Sequence, residues 1–482
     1  MAQKAKLPGI EMIYMHFKQR IGALVRRDVL SLTLPVVTEQ VFTMSMGMIN
    51  AIMVGQVGSQ AVSAVGMVDS INNIFVAFFV ALSLGGTVVV AHYVGHGNRE
   101  EANDATKQAM FSGLILSLFI TLVTWILRRY IILVLYGAAE PAVMENVNVY
   151  FGITLLTYPF IALTSIACGV LRGAGDTRTP MKVTILMNAI NICLGYVLIY
   201  GLNISNIHFS VSIPALGVKG AAIGLAVARA VGTFMIIHVL VKGSKAIRLT
   251  DLRSFKFNLP MQKAIFNVGI PASVESLLFN GGKLITQVFI VGMGTASIAA
   301  NYIASSVFSM VNVPGNALGV AATTLVGQYM GRGEKEEASD TMMYLTKLAS
   351  FCMLILCMIT YPLAVPLARL YSRSADVIAL SARLIRLTSI ATPPLWPIAF
   401  VLPAGLKGAG DTRYTMVTSF LGMWAFRIVL GYILGVPLKM GVAGVWIGMF
   451  TDWLVRGVLY YSRLKKGKWV QNVVIQDMSS MA

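Results

Sequence analysis

The chain has 482 residues, of which 56% are hydrophobic and 12% are charged, and its mean hydropathy is +0.74. A soluble domain carries roughly twice this share of charged residues, so the composition excludes a soluble protein and indicates a membrane protein. The net charge of +18 also occurs in nucleic-acid-binding proteins, and only the distribution of the basic residues separates the two classes.

Apolar stretches long enough to cross a bilayer recur along most of the chain. A spanning helix needs about 20 mostly apolar residues, and twelve stretches meet this requirement. They predict an all-α integral membrane protein with twelve transmembrane helices, whose approximate cores are 30–54, 63–91, 108–127, 149–171, 181–201, 217–241, 264–292, 297–326, 342–366, 379–405, 415–434 and 441–461.

The basic residues concentrate on one predicted side of the membrane. Both terminal segments and every second connection together hold 25 Lys and Arg, whereas the remaining connections hold 8. This is the positive-inside distribution, which predicts a multi-pass protein of the plasma (inner) membrane with both termini in the cytoplasm. The bilayer is therefore the expected partner, and nucleic acid is not.

Three pairs of matching segments show that the chain contains an internal repeat. The offsets between partners are 235, 236 and 236 positions. The pairs are "LRGAGDTRTP" (171–180) with "LKGAGDTRYT" (406–415), "YVGHGNREEAND" (93–104) with "YMGRGEKEEASD" (329–340), and "LPVVTE" (34–39) with "IPASVE" (270–275).

The repeat divides the chain into two lobes of six helices each. Because six is even, both copies enter the membrane from the same side, which predicts a pseudo-twofold axis along the membrane normal and a binding cleft between the lobes. The first copy has about a dozen extra residues around 203–215. The predicted parts are a cytoplasmic N-terminal segment 1–28, a first lobe 29–241, a cytoplasmic linker 242–263, a second lobe 264–462 and a cytoplasmic tail 463–482.

The chain carries no motif for enzymatic chemistry. Its four cysteines all fall inside apolar stretches without a metal-ligand spacing, and the five histidines do not cluster. No phosphate-binding loop, metal-hydrolase motif or nucleophile motif occurs. We therefore expect a protein that is not an enzyme and that needs no cofactor.

The repeated motifs resemble those of the multidrug and toxic compound extrusion (MATE) family of cation antiporters. The resemblance rests on the two GAGDTR turns, the paired G-x-G-x-x-E-E-A loops and "NAINICLGYVLIYG" (188–201), in the same order in both halves. It implies a V-shaped pair of lobes that alternates between outward-open and inward-open states. It also implies that inward flow of Na⁺ or H⁺ drives the export of organic, often cationic, molecules.

Glu39 and Glu275 occupy equivalent positions of the two repeats, about 15 Å from the inner surface. An ionisable group at this depth is a candidate functional residue. One hypothesis has the two carboxylates face each other across the cleft, where they exchange H⁺ or Na⁺ for a cationic drug. The alternative has each carboxyl group hydrogen-bond within its own lobe and stay neutral. Glu275 is the main candidate for coupling and for a Na⁺ site, because family members recurrently use a carboxylate in the seventh helix.

Two further ionisable residues lie near these helices. Lys283 follows Glu275 by eight residues on a similar helix face, where it either holds a carboxylate, repels a cation, or packs with its amine directed to the interface. Asp69 lies about 10 Å from the outer surface, so direct exposure to water is its alternative to a coupling role.

Arg427 and Asp452 are predicted at mid-membrane depth on consecutive antiparallel helices. A structural ion pair that locks the eleventh helix to the twelfth is the first hypothesis, and a proton relay is the second. The equivalent residues of the first lobe are Asn191 and Ala228, so the pair is expected in the second lobe alone. Arg229 has no acidic partner that the sequence indicates.

The sequence departs from the family at the cation site of the first lobe. Many prokaryotic members resemble one another in an Asp in the first helix with an Asn and an Asp in the fifth. The matching positions here are Asn50, Asn191 and Gly195, so coupling is expected at Glu275 or Glu39 instead.

The favoured function is therefore an antiporter that exports organic cations in exchange for Na⁺ or H⁺, active as a monomer. A flippase for lipid-linked precursors is the alternative, but it would line its cleft with arginines for phosphate, whereas the candidates here are mostly acidic. An integral-membrane enzyme would need a nucleophile or a metal set, which the sequence lacks.

Overall fold

The computed structural model describes residues 27–137, 139–206, 209–244, 247–249, 255–472 and 474. The predicted segment 1–28, the middle of the linker 242–263 and the end of the tail 463–482 lie largely outside this range. The helices are α1 Arg27–Gly55, α2 Ser59–Gly95, α3 Arg99–Tyr136, α4 Pro141–Leu155, α5 Tyr158–Gly173, α6 Arg178–Tyr200, α7 Gly217–Lys242, α8 Leu259–Val291, α9 Thr295–Val311, α10 Val313–Arg332, α11 Lys335–Thr360, α12 Ala364–Tyr371, α13 Ala375–Gly408, α14 Thr412–Gly435 and α15 Gly441–Lys465.

The helices confirm the twelve predicted spans. Ten described helices are long and apolar enough to cross a membrane, and two bent helix pairs qualify when each pair is taken as one span. These pairs are α4 with α5, bent by 46°, and α9 with α10, bent by 48°. Pro159 and Pro314 lie in the first turn of α5 and α10, where a missing N–H removes no helical hydrogen bond.

Each lobe is built around its own core. One cluster of buried apolar side chains lies wholly in α1–α7 and includes Phe79, Phe151 and Tyr158. A second cluster lies in α8–α15, apart from Val29, and includes Trp396 and Trp453. A third cluster joins the lobes, because Met261 and Ile265 of α8 pack with buried apolar side chains of the first lobe.

A β-hairpin in the first lobe is an element that the sequence did not predict. The antiparallel strands β1 Leu202–Asn206 and β2 Phe209–Ile213 pair with Leu202 opposite Ile213. They occupy the stretch around 203–215 where the first repeat has its extra residues. The segment is rich in β-branched residues at alternating positions, which favours strands over a helix.

The lobes pack against each other along α2 and α8 and at one end of the bundle, which we call the closed end and which holds the connections 96–98, 174–177, 333–334 and 409–411. There the ring of His92 hydrogen-bonds to the carbonyl of Gly408 at 2.9 Å, and the Gln328 amide donates to the Gly173 carbonyl at 2.9 Å. A Cβ atom on Gly95 would overlap the carbonyl oxygen of Gln328, so glycine permits this close approach.

Candidate functional site

Each lobe contains a large cavity, and the cavity of the second lobe has a volume of about 530 Å³. The side chains that line it come from α8–α10 and α13–α15, with Met44 contributed by α1 of the other lobe. Among these described lining residues there is no Asp or Glu. The charged members are Lys283 and Arg427, and the aromatic members are Phe279, Phe308, Trp396, Phe400, Trp446 and Trp453.

The two cations of this cavity share one aromatic ring. The Lys283 ammonium lies 4.8 Å from the centroid of Phe279, and the Arg427 guanidinium carbon lies 5.7 Å from it. Lys283 is exposed, whereas Arg427 is half-buried and its Nε atom is buried without a hydrogen-bond partner. Arg427 belongs to a π-helical stretch of α14, Gly422–Leu430, and such stretches are frequent at functional sites.

Asp452 pairs with Arg456, and the predicted ion pair of Arg427 with Asp452 is wrong. The Arg456 Nε lies 2.7 Å from Asp452 Oδ1, and Arg456 Nη2 donates to Oδ2 at 2.9 Å. Both side chains are buried, with 2% and 0% exposure. The two residues are four positions apart on α15 and so share one helix face, which leaves Arg427 to the cavity. A Cβ atom on Gly422 would overlap Asp452 Oδ1, so a glycine of α14 makes room for the pair.

Glu275 forms an ion pair within the second lobe. The Lys407 ammonium lies 2.8 Å from Glu275 Oε1, and the Ser419 hydroxyl donates to the same oxygen at 2.9 Å. Thr415 donates to Oε2 at 3.4 Å. Lys407 comes from α13 and both hydroxyl groups come from α14, so one carboxylate of α8 joins three helices. In this state the ammonium of Lys407 occupies the position where the sequence placed a possible Na⁺.

Glu39 forms the equivalent ion pair within the first lobe. Arg172 Nη2 lies 2.6 Å from Glu39 Oε1, and the Thr184 hydroxyl donates to the same oxygen at 3.2 Å. Arg172 and Lys407 are the basic residues that precede the two repeated GAGDTR turns. The structure thus places each carboxylate with a partner of its own lobe and not opposite the other carboxylate across the cleft. The partner is a cation in both lobes, which differs from the neutral carboxyl group of the alternative hypothesis.

The cavity of the first lobe has a volume of about 490 Å³ and is lined mainly by amides and apolar groups. Asn191 donates to the Asn50 side-chain oxygen at 3.3 Å, and Gly195 lies in the same wall. The three positions of the family's cation site therefore do meet in one cavity, although two of them, Asn50 and Gly195, lack the family's Asp. The acidic residue that lines it is Asp69, which accepts a hydrogen bond from Tyr150 at 3.5 Å.

Arg229 lines the first cavity and has a partner that the sequence did not reveal. Its Nη1 donates to the Thr157 hydroxyl at 2.7 Å, at the bend between α4 and α5. Its charge also acts on Asp69. The carboxylate and the guanidinium come from α2 and α7, and no local pattern connects residues 160 positions apart.

The two cavities are equivalent under the repeat. At an offset of 236 positions, several lining residues of one cavity match lining residues of the other. The matched pairs are Thr43 with Phe279, Gly47 with Lys283, Asn50 with Thr286, Asp69 with Ser305, Asn73 with Ser309, and Asn191 with Arg427.

Comparison with known proteins agrees with the repeat and the fold. A family model described as MatE matches the chain twice, at residues 35–197 and 271–433, which are 236 positions apart. The probable multidrug resistance protein NorM of Thermotoga maritima is 27% identical over 94% of this chain and 94% of its own length. The uncharacterized transporter YisQ of Bacillus subtilis (strain 168) is 26% identical over 92% of this chain and 94% of its own.

A solved structure has the same fold. It is described as the outward-facing conformation of a multidrug resistance MATE family transporter, and its TM-score is 0.82 at 21% sequence identity. The match covers 92% of this chain and 96% of that structure's chain.

Proposed function

Because the chain belongs to the MatE family of multidrug efflux transporters, whose members are not enzymes, we propose that it is an antiporter that exports organic, drug-like molecules in exchange for Na⁺ or H⁺. The protein crosses the membrane many times, and we propose that it acts as a monomer in the plasma membrane. The repeat supplies the two lobes that alternate between states.

The observation that carries this proposal is a pair of ligand-sized cavities, one in each repeat-related lobe, that lie toward one end of the bundle. At the opposite, closed end the lobe boundary is crossed by hydrogen bonds such as those of His92 and Gln328, beside a smaller cavity of about 410 Å³. The contact between the lobes continues along α2 and α8, where the hydroxyl groups of Ser273 and Ser276 donate to backbone carbonyls of α2. Large cavities toward one side are expected of a transporter in one of two alternating states.

We further propose that Glu275 couples ion movement to substrate movement. It lies one helical turn from Phe279, whose ring contacts Phe400 at 6.0 Å between centroids. Phe400 in turn lies two turns from Lys407 on α13. A proton or Na⁺ that takes the place of Lys407 at Glu275 would release α13 from α8, and both helices line the cavity.

Cationic substrates have a suitable environment in the first cavity. Asp69 and the four asparagines Asn50, Asn72, Asn73 and Asn191 offer oxygen acceptors there. We propose this cavity for organic cations, since the second cavity is lined by two cations of its own. The sequence argued against a flippase for lipid-linked precursors because the candidate cleft residues are mostly acidic. The second cavity is lined by Lys283 and Arg427 instead, so a flippase remains the second candidate function.

Transport itself is tested with the purified protein in liposomes loaded with a fluorescent organic cation. We expect dye efflux when a pH gradient or a Na⁺ gradient drives the ion in the opposite direction, and little efflux when both gradients are dissipated. Protein-free liposomes are the control. Efflux that is equally fast without any gradient would refute the antiport mechanism.

We propose that both termini and residues 242–263 face the cytoplasm, so that the closed end is the cytoplasmic end. Single cysteines introduced at Ser244 and Ser205 test this orientation with a membrane-impermeant reagent, in a background without native cysteines. In intact cells, Ser205→Cys should react and Ser244→Cys should not. Reaction of both from the same side would contradict the twelve-span topology.

A further inference from the structure

The cavity of the second lobe carries positive charge that the described protein does not balance. Lys283 and Arg427 line it, and the acidic residue whose charge acts on Arg427 is Asp452. That carboxylate already holds Arg456 through two contacts of 2.7 and 2.9 Å. Arg427 and Arg456 therefore share one carboxylate, and Lys283 is a further cation beside Arg427.

Aromatic contacts offset only part of this charge. The cations of Lys283, Arg427 and Arg456 lie 4.8, 5.7 and 5.5 Å from the centroid of the same ring, Phe279. One ring cannot stabilise three cations to the extent that water does. The buried Arg456 has its carboxylate, whereas the exposed Lys283 and the half-buried Arg427 form no ion pair among the described residues. Cations inside a membrane protein usually persist where an anion pairs with them.

We propose that this cavity binds a small organic anion that has a carboxylate and an aromatic body, and that this anion is a transported substrate. The inference rests on the proposed transport function and adds a substrate class to it. The carboxylate lies between the ammonium of Lys283 and the guanidinium of Arg427, whose planar donors suit a carboxylate.

The rest of the cavity fits the apolar part of such a molecule. Six aromatic side chains line it, and two of them, Trp396 and Phe400, are stacked with centroids 4.7 Å apart. Flat apolar ligands pack well against such surfaces. The volume of about 530 Å³ lies within the range of small-molecule sites, roughly 300–1,000 Å³.

The repeat shows that this charge is specific to the second cavity. Lys283 and Arg427 replace Gly47 and Asn191 of the first cavity, while Ser305 replaces Asp69. Each of these three differences makes the second cavity more positive, whereas Trp453 in the place of Arg229 removes one positive charge. The charged residues that line the first cavity, Asp69 and Arg229, are of opposite sign, whereas both charged residues that line the second cavity are cations.

Three naphthalene compounds of similar size test the proposal: 1-naphthoate, neutral 1-naphthamide and cationic 1-naphthylmethylammonium. Binding to the full-length protein in detergent is measured by calorimetry in chloride buffer, without any ion gradient. We expect 1-naphthoate to bind about tenfold more tightly than 1-naphthamide, as a charge-assisted hydrogen bond predicts. The cation should bind more weakly than both.

Variants test whether Lys283 and Arg427 cause the preference for 1-naphthoate over 1-naphthamide. Lys283→Gln and Arg427→Gln should each weaken 1-naphthoate binding by about tenfold and leave 1-naphthamide binding unchanged. Lys283→Arg should retain the preference. Arg229→Gln, which removes an arginine from the first cavity, is the matched control and should leave 1-naphthoate binding unchanged. Unaltered 1-naphthamide binding shows that each variant is folded.

Three results would overturn the proposal. The first is that 1-naphthylmethylammonium binds as tightly as 1-naphthoate. The second is that the Lys283→Gln/Arg427→Gln double variant still prefers 1-naphthoate to 1-naphthamide. The third is that chloride or phosphatidylglycerol micelles occupy the site so fully that 1-naphthoate does not bind. Failure of the transport function gives a different result, since 1-naphthoate would then bind with the expected preference but would not cross liposomes under any gradient.

Discussion

The two lobes have the same ion pair beside cavities of different charge. Glu39 with Arg172 and Glu275 with Lys407 have contacts of 2.6 and 2.8 Å, and the two carboxylate side chains are 13% and 14% exposed. The cavity of the first lobe contains Asp69 and Arg229, whereas that of the second contains two cations. Duplication has thus kept the groups that fix helices within a lobe, and divergence has changed the groups that face a ligand.

The largest expected effect concerns the ion pair that the second lobe alone has. Asp452→Ala should destabilise the protein by about 3–5 kcal/mol, because Arg456 would remain as a buried charge without its partner. Abundance in the membrane and the thermal unfolding temperature measure this effect. The double variant Asp452→Leu/Arg456→Met should recover part of the loss.

The first lobe has small residues at the matching positions, Ala228 and Gly232, both of which are buried. It folds without such a pair, so the pair is not a requirement of the repeat itself. A stable but inactive Asp452→Ala protein would show instead that Asp452 takes part in transport, which contradicts the structural role.

The two repeat-related glutamates are expected to contribute unequally to the coupling of ion movement to substrate movement. Glu275→Gln keeps the size of the side chain but removes its charge, and it should lower gradient-driven export about 100-fold, equivalent to about 3 kcal/mol. Glu39→Gln should have a smaller effect of about tenfold, since the ring contact that joins Glu275 to a cavity has no equivalent at Thr43. Initial efflux rates at matched protein content measure both.

Expression and unfolding temperature are the controls for both glutamine variants. The assignment of coupling to Glu275 requires that both glutamine variants are folded and that Glu275→Gln exports less than Glu39→Gln. If Glu39→Gln loses more activity than Glu275→Gln, coupling lies in the first lobe.

The spans and the repeat were predictable because both are recorded locally, in the length of apolar stretches and in copied motifs. The partner of Asp452 was also available locally, since Arg456 follows it by one helical turn. The contacts of Glu39 with Arg172 and of Asp69 with Arg229 could not be predicted, because the helices that carry these residues have apolar side chains on all faces. Such a sequence does not indicate which face of a helix meets which neighbour.

The positive charge of the second cavity could not be predicted from the sequence for the same reason. Lys283 was recognised as unusual, but its association with Arg427 depends on how α8 and α14 are rotated. Acidic residues at mid-membrane depth were the stronger signal in the sequence, but two of them, Glu275 and Asp452, are bound to cations of their own lobe.

The amide pair of the first cavity should matter less than either glutamate. Asn50→Ala removes the neutral hydrogen bond from Asn191, which is worth about 1 kcal/mol, so gradient-driven export should stay within about fivefold of the wild-type rate. The same efflux assay measures this rate. Export that is lost in Asn50→Ala but survives in Glu275→Gln would move the coupling site to the first cavity.

The smallest effect is expected from exchanging the two cations of the repeated ion pairs. Arg172→Lys and Lys407→Arg each keep the charge, and each native contact joins one nitrogen to one carboxylate oxygen. Arg172 does not use its full fork, because its Nε atom is buried without a partner. The usual penalty for replacing a bidentate arginine therefore does not apply, and both variants should change stability by about 1 kcal/mol or less. Unfolding temperature and efflux rate are the two measurements.

A different result would revise the role of Lys407. If Lys407→Arg alone abolishes export while both variants remain folded, the ion pair of the second lobe needs a cation that can leave the carboxylate. The lysine at this position is then part of the coupling mechanism.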